Sequence, residues 1–315
     1  MSLPASLKSR LTLPLISAPM FLVSGPELVI AACRSGVIGS FPTANCRTTA
    51  DLDQWLERIA RETKGHAPFC PNLIVHKSNP RVEEDLALVI KHKAEIVIAS
   101  VGSPERIVKP LHDAGCLVLA DIASLRHAEK AIALGVDGLI LLTAGAGGQT
   151  GWANPFAFAR AVRQMYDGII VMAGGISDGV ALHAAEQLGC DLSYMGTKFI
   201  ATRESMAVDR YKQMLVDCRL DDILLTKAFT GLETSKLRPS IVAAGLDPDN
   251  LPARGALDIS KDINAAERDK PSAKRWKDIW SAGHSVSGVA DIPSVAELIA
   301  RTRAEYDKAR RGAAA

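Results

Sequence analysis

The chain lacks an excess of either charge. It carries 37 Lys and Arg against 35 Asp and Glu, which gives a net charge of +2. This balance gives no electrostatic reason to expect nucleic acid or an anionic membrane as a partner. The chain also lacks apolar runs of the roughly 18 residues that span a membrane, and its N-terminal stretch has no uninterrupted apolar segment of the kind found in signal peptides. We therefore expect a cytoplasmic protein that acts on a small molecule.

Cysteine motifs are absent as well. No C-x-x-C pair and no metal-ligand spacing occurs among the six cysteines, which are Cys33, Cys46, Cys70, Cys116, Cys190 and Cys218. With 48% hydrophobic and 23% charged residues, the composition is that of an ordinary globular protein with a large core. We expect reduced, mostly buried thiols and no metal site.

Eight short apolar runs alternate with helical patterns over the first two thirds of the chain. The intervening segments begin with Ser, Thr, Asp or Pro, and several end in Gly, which is typical of capped helices. The runs are apolar on both faces, as parallel strands covered on both sides are. This pattern predicts an α/β fold, a (β/α)8 TIM barrel rather than an open doubly wound sheet. The predicted strands are 14–20, 37–42, 69–75, 95–100, 117–122, 138–144, 168–175 and 192–199.

The repeating pattern ends after the eighth strand. Residues 203–271 read as helical and then loop-rich, with few apolar residues towards the end, and apolar helical periodicity returns at 273–283 and 294–306. We therefore predict a barrel formed by residues 1–202 and 272–315. Residues 203–271 are predicted to form a small helical and loop insertion, a lid placed after the eighth strand.

Glycine-rich segments follow the seventh and eighth strands. Residues 173–179 read AGGISDG, and Gly196 and Thr197 follow the next strand. Backbone N–H groups at a helix N-terminus bind anions, and the loops after strands seven and eight are where TIM barrels hold a phosphate. The two motifs together predict a phosphorylated cofactor or substrate, although each glycine pair alone is also compatible with a tight turn.

Four motifs carry a resemblance to a known family. ISAPM (16–20), the glycine-rich turn LTAGAGGQTG (142–151), AGGISDG and MGTKF (195–199) together resemble the nitronate monooxygenase, or 2-nitropropane dioxygenase-like, flavoproteins. That superfamily also contains flavin-dependent enoyl-acyl-carrier-protein reductases and NADH:quinone reductases. The resemblance covers nearly the whole chain, including the insertion and a late WSAG segment (280–283). It implies an FMN-dependent oxidoreductase that holds FMN non-covalently in the barrel.

The resemblance also implies which residues hold the cofactor. Those expected along the isoalloxazine ring are Ala18, Pro19 and Met20, with Asn72 approaching it from strand three. Close passage of the backbone is expected at Gly147 and Gly148. The FMN phosphate is expected at Ala173, Gly174, Gly175, Gly196 and Thr197. Asp121 stands near the end of strand five, where some members carry a Lys, and we include it among the cofactor-binding residues.

Gln149 departs from the family pattern. Many members carry at this position a His that is the proposed catalytic base, and Gln cannot take a proton. Base-dependent oxidation of neutral nitroalkanes is therefore not expected, whereas oxidation of an already anionic nitronate needs the base less. Gln149 can still donate a hydrogen bond to a substrate oxygen and is our first catalytic candidate. The second is His284, as a proton donor, ahead of His76 and Lys77; each of these has a solvated or structural role as its alternative.

Two enzymatic functions follow, and they differ in the electron donor. The first is oxidation of nitronates, or a similar small anionic substrate, with O2 and without nicotinamide. The second, favoured by Gln149, is an NAD(P)H-dependent reductase of an enoyl thioester, enone or quinone. The phosphate loops are also compatible with a third function, a flavin-free isomerase or synthase that acts on a sugar or nucleotide phosphate. A homodimer is one assembly that the sequence leaves open.

Overall fold

Eight parallel strands close into a barrel in the computed structural model, which describes residues 3–251 and 278–312. Strands consecutive in the chain are neighbours around the barrel, and the last pairs with the first, with Ile16 opposite Tyr194. The predicted (β/α)8 TIM barrel is therefore confirmed. The barrel strands are β1 (Leu15–Ser17), β2 (Ile38–Pro42), β3 (Phe69–Ile74), β4 (Ile96–Ser100), β5 (Leu117–Ile122), β6 (Gly138–Leu142), β8 (Ile169–Ala173) and β9 (Leu192–Met195).

Helices surround the barrel, and several begin at the polar caps that the sequence predicts. Thr48 forms a capping box with Asp51, and the side chains of Ser124, Asn154 and Asp178 accept hydrogen bonds from the first turns of their helices. The helices are α1 (Ala5–Lys8), α2 (Pro26–Arg34), α3 (Thr49–Glu62), α4 (Val82–Lys91), α5 (Glu105–Asp113), α6 (Leu125–Ala133), α7 (Pro155–Met165), α8 (Gly179–Gln187), α9 (Thr197–Ile200), α10 (Asp209–Asp217), α11 (Arg238–Ala243) and α12 (Val295–Gly312). The last helix packs against α8 and α2.

Residues along each barrel strand alternate between two hydrophobic clusters. One cluster fills the barrel interior and includes Ile98, Leu119 and Ile140; the other lies between the barrel and the helices. This alternation follows from the two-residue period of a strand. Towards the carboxyl ends, the inward positions become polar. They hold Asn72, Ser100, Asp121 and Tyr194, so the top layer of the barrel interior differs chemically from the layers below.

The predicted end of the eighth barrel strand is wrong. We expect a strand to residue 199, but β9 ends at Met195 and Thr197–Ile200 forms the short helix α9. A short apolar run does not by itself distinguish a strand from a helical turn. The consequence is that Thr197 begins a helix directly at the carboxyl end of the barrel.

The described part of the segment after β9 contains strands that the sequence does not predict. After α10 the chain forms β10 (Ile223–Thr226) and β11 (Thr234–Leu237), which pair antiparallel. β11 also pairs with β7 (Gly148–Gln149), the strand in the loop after β6, so that the three form a small sheet outside the barrel. The domain boundaries at 202 and 271 stay predictions, and the predicted lid and helix residues between 252 and 277 lie outside the described residues.

The six thiols are buried and form no disulfide. Burial raises the pKa of Cys33 and of Cys116 to about 12, so these groups stay protonated and unreactive near neutral pH. Within residues 3–251 and 278–312, no group of three or more His, Cys, Asp or Glu side chains is arranged to hold a metal. No helix of the same residues has the length and apolar character needed to cross a membrane.

Candidate active site

A cavity of about 750 Å³ lies at the carboxyl ends of the barrel strands. This is the end at which TIM barrels place their active sites, and the volume is in the range of small-molecule sites. Its walls come from the loops after β1, β6 and β8, from the ends of β3, β5 and β9, and from β11 and the segment around Trp280. Barrel and insertion therefore contribute to one site.

All the predicted cofactor residues line this cavity. The structure brings together Ala18, Pro19, Met20, Asn72, Asp121, Gly147, Gly148, Ala173, Gly174, Gly175, Gly196 and Thr197. These residues come from six different loops or strand ends, so their convergence depends on closure of the barrel. Their individual roles in binding stay predictions.

Asn45 fixes the loop after β1, and the sequence did not single it out. Its side-chain amide donates to the carbonyl oxygens of Met20 at 3.1 Å and Ser24 at 2.8 Å, and its Oδ1 accepts from the N–H of Leu22 at 2.8 Å. Leu22 has a positive φ of 61°, a conformation that costs a non-glycine residue energy and persists only when its surroundings hold it. Asn45 therefore holds the loop that carries Pro19 and Met20 against the cavity.

The glycine loop after β8 differs from the expected helix N-terminus. The first turn of α8 has its own partners, because Asp178 accepts from the N–H of Ala181 at 2.8 Å and Glu305 accepts from the N–H of Gly179 at 3.0 Å. Two of the amides at the start of α8 are therefore already bonded, and phosphate binding by this motif stays a prediction. The part of the motif that lines the cavity is the preceding loop, with Gly174 and Gly175 at φ of 124° and 74°.

Thr197 joins the start of α9 to the late WSAG segment. Its Oγ1 accepts from the N–H of Gly283 at 2.9 Å. The side chain is 3% exposed, so the bond is shielded from water. The start of α9, the 174–176 loop and the 281–283 turn thus enclose the side of the cavity predicted to take a phosphate.

We predict that Gly175→Ala removes most FMN binding while the fold survives. A Cβ at Gly175 meets no atom within 4 Å, so a methyl group would enter space that the phosphate needs. The positive φ adds about 1–2 kcal/mol of strain. Gly135→Ala is the matched control, because Gly135 has φ of 80° and equally open surroundings but lies in the turn after α6.

Thermal unfolding and FMN titration of the apoproteins distinguish the two variants. Both should lose similar stability, and only Gly175→Ala should raise the Kd for FMN, by about tenfold or more. Equal Kd values in the two variants would contradict the assignment of this loop to the phosphate.

The floor of the cavity holds two kinds of polar group. Asn72 and Ser100 bond to each other, the Ser100 hydroxyl donating to Asn72 Oδ1 at 3.2 Å. In contrast, Asp121 Oδ1 and the Tyr194 hydroxyl are buried without a hydrogen-bond partner. Burial raises the pKa of Asp121 to about 7, because removal from water disfavours the carboxylate. The sequence did not identify Tyr194, which reads as one more apolar strand residue.

Gln149 and Lys236 lie on neighbouring strands of the outer sheet, and both line the cavity. In the β7–β11 pairing, Thr234 stands opposite Gln149, and Lys236 follows two residues later on the same face. Lys236 is 1% exposed, and its Nζ lies 6.0 Å from the centre of the Phe229 ring. A buried lysine therefore lies in the same cavity wall as Gln149. The sequence offers no signal for it, because residues 234–237 fall in the segment predicted to be helical and loop-rich.

An aromatic stack supports the segment that pairs with β11 at Lys236. The rings of Tyr211 and Trp280 stack with centres 4.9 Å apart and planes at 11°, and the Arg210 guanidinium lies 5.9 Å from the centre of the Trp280 ring. The Tyr211 hydroxyl donates to the carbonyl oxygen of Ser281, and burial raises its pKa. The stack thereby fixes the turn that carries Ser281, another residue of the cavity wall.

His284 lies outside the cavity wall. It is exposed, its backbone N–H donates to the Gly145 carbonyl oxygen at 2.9 Å, and its ring covers Gly145, since a Cβ there would come within 2.7 Å of Nδ1. His76 bonds to Ser78 at 2.8 Å, and Lys77 is exposed. None of the seven histidines lines the cavity. Proton donation by His284 stays a prediction, and its observed contact is with the turn before Gln149.

Comparison with known proteins identifies the family of the chain. A sequence model of the nitronate monooxygenase family matches residues 79–305. A nitronate monooxygenase of Paraburkholderia phytofirmans is 28% identical, with 93% of this chain and 92% of the relative covered. The (3aS,4S,5R,7aS)-5-hydroxy-7a-methyl-1-oxo-octahydro-1H-indene-4-carboxyl-CoA dehydrogenase of Rhodococcus jostii is 25% identical, with 88% of this chain and 76% of the relative covered.

A solved structure shares the fold. FabK from Thermotoga maritima superposes with a TM-score of 0.81 at 21% identity, and the match covers 99% of both chains. The family model spans well over half of the chain. The chain therefore belongs to the nitronate monooxygenase family, and it is an enzyme of the flavin-dependent oxidoreductase class.

Proposed function

We propose that the enzyme oxidises small alkyl nitronates with O2 on a bound FMN. The observation that carries this proposal is that buried Lys236 and the amide of Gln149 lie in one cavity wall, which has no histidine. A nitronate is already an anion and has lost its C–H proton. A site with a cation and a neutral hydrogen-bond donor, and without the family's base, suits such a substrate.

The cavity residues fit a flavin. Two unpartnered polar atoms on the floor, Asp121 Oδ1 and the Tyr194 hydroxyl, offer hydrogen bonds to a ring edge, and the loop at Gly174 and Gly175 presents bare backbone to the cavity. We assign the isoalloxazine to the floor beside Ala18, Pro19 and Met20, and the phosphate to the loop after β8 and the start of α9. When bound, FMN supplies electron acceptance and reactivity towards O2.

The chain itself binds and orients the substrate. Lys236 compensates the negative charge of the nitronate oxygens in a wall largely shielded from water, where such a contact is stronger than in solution. Gln149 donates an amide N–H to one of the same oxygens. No residue has to remove a proton from carbon, so the replacement of a base by Gln149 leaves this reaction intact.

The test of this function is anaerobic reduction of the purified enzyme. Propyl-2-nitronate should bleach the flavin absorbance at about 450 nm, and air should restore it. NADH and NADPH, each tested separately at equal concentration, should bleach it slowly or not at all. Rapid bleaching by a nicotinamide with none by the nitronate would overturn the proposal.

A nicotinamide-dependent reductase or a dehydrogenase of an acyl thioester is the second candidate. The Rhodococcus relative is named for a carboxyl-CoA substrate, and the cavity extends to Arg210 and Asp278, beyond the barrel mouth. A thioester carbonyl would take the same hydrogen bond from Gln149. Bleaching by NAD(P)H, reversed by an enoyl thioester, would identify this function.

A further inference from the structure

Two residues of the cavity floor, Asp121 and Tyr194, each have a polar atom without a hydrogen-bond partner. Tyr194 is 8% exposed, and its hydroxyl has no hydrogen-bond partner. Asp121 is more open because it faces the cavity, yet its Oδ1 is out of contact with solvent and also without a partner. Asn72 and Ser100, in the same layer, satisfy each other. The floor thus contains one hydrogen-bonded pair and two polar groups whose partner a ligand can supply.

Buried polar groups without a hydrogen-bond partner destabilise the folded protein. A buried polar group without a hydrogen bond costs about 1–3 kcal/mol, and native proteins keep few of them. Both residues line one cavity, so a single bound molecule can satisfy both groups. A flat heterocycle whose edge alternates carbonyl oxygens and ring N–H groups, as the flavin's does, matches a carboxyl and a hydroxyl that line the same cavity.

The surroundings of Asp121 disfavour its charged form. The neighbouring strands β4 and β6 place Ile98, Ile140 and Leu142 in the barrel interior. The described titratable groups that interact with its charge are Tyr194 on β9 and Cys70 on β3, and burial raises the pKa of both, so they are neutral at physiological pH. Burial alone accounts for the raised pKa of Asp121.

We propose that Asp121 and Tyr194 make a joint contact to the flavin ring edge and that Asp121 makes it as a protonated acid, so that FMN binding takes up a proton. The proposal rests on FMN as the cofactor but not on nitronate as the substrate. In the apoprotein the carboxyl titrates near pH 7. A ring lying over it removes more water and raises the pKa further.

The raised pKa of Asp121 determines how the affinity for FMN changes with pH. Below pH 7 the acid is already protonated, so the affinity for FMN is fully present. Above pH 7 each bound FMN must bring a proton with it, and the Kd rises by up to about tenfold per pH unit until the pKa of the complex is passed. An ionised Asp121 that accepted from a ring N–H would give the opposite slope.

Calorimetric titration of the apoprotein with FMN between pH 6 and 9 tests the proposal. At pH 8, comparison of two buffers with different ionisation enthalpies should show about one proton taken up per FMN. Asp121→Asn keeps a donor and an acceptor but cannot titrate, so its Kd should be flat with pH and close to the acidic value of the wild type. Tyr194→Phe should bind FMN about 2- to 12-fold more weakly at every pH, with the slope kept.

Cys70→Ala is the control, because it removes the other titratable neighbour and should leave both slope and proton uptake unchanged. If the Kd of the wild type for FMN is flat with pH, or falls as pH rises, the proposal is overturned even if no variant folds. Proton uptake that persists in Asp121→Asn would also overturn it. Absence of FMN binding at every pH would overturn the cofactor assignment together with this proposal. A normal pH profile in an enzyme that does not oxidise nitronates would overturn the proposed function alone.

Discussion

Gln149→His is expected to give the enzyme turnover of neutral nitroalkanes that the wild type lacks. A neutral nitroalkane must lose a proton from carbon, and the amide of Gln149 cannot accept it. A positioned base contributes about 10²–10⁴-fold, so the variant should gain at least about 10²-fold in kcat/KM for 2-nitropropane. Oxygen consumption with 2-nitropropane and with its preformed nitronate measures the change.

The geometry around Gln149 makes this substitution informative. The residue is half-buried, its backbone pairs with Thr234, and its side chain makes no hydrogen bond to any described residue. Gln149→Ala is the control and should gain no nitroalkane activity. A wild type that already oxidises the neutral nitroalkane as fast as the nitronate would contradict the interpretation, because another residue would then be the base.

Lys236→Met is expected to lower kcat/KM for nitronates by about 10- to 150-fold, which is the range for loss of a hydrogen bond to a charged group. Methionine is similar in length and unbranched, so the wall keeps its shape while the positive charge is lost. We expect most of the loss in KM and little change in FMN content. Initial rates with propyl-2-nitronate and flavin absorbance of the purified variant measure both quantities.

Lys212→Met provides the matched control. Lys212 is also buried, at 6% exposure, but its Nζ donates to the carbonyl oxygens of Arg203 and Ser205 at 3.3 and 3.1 Å and it does not line the cavity. This variant should lose stability without a specific loss of nitronate affinity. If both variants lower kcat/KM equally at equal folded fraction, Lys236 acts through the fold, and the anion-binding role is wrong.

The barrel and its glycine loops could be predicted because their signals are local. A buried parallel strand is a short apolar run, and a loop such as 173–179 favours glycine where φ is positive. Closure of the barrel then brings all the predicted cofactor residues to the wall of one cavity. Each of these inferences needs only a few consecutive residues.

The outer sheet could not be predicted, because its strands are stabilised by pairing between distant segments. β7 has two residues and pairs with a strand more than eighty positions later. The period-two pattern needs four or more residues to be visible. Lys236 therefore read as one more polar residue of a helical region. Tyr194 had no distinguishing signal either, since only the structure reveals that its hydroxyl lacks a partner.

The hairpin of β10 and β11 contributes cavity residues that belong to neither a barrel strand nor a cofactor loop. Leu232, Thr234 and Lys236 line the cavity, while the residues between them do not. Three alternating side chains on one short segment can therefore change without altering any barrel strand or cofactor loop. Substitutions at these three positions can therefore change which substrate the enzyme prefers. They can arise by natural drift or in a focused mutant library.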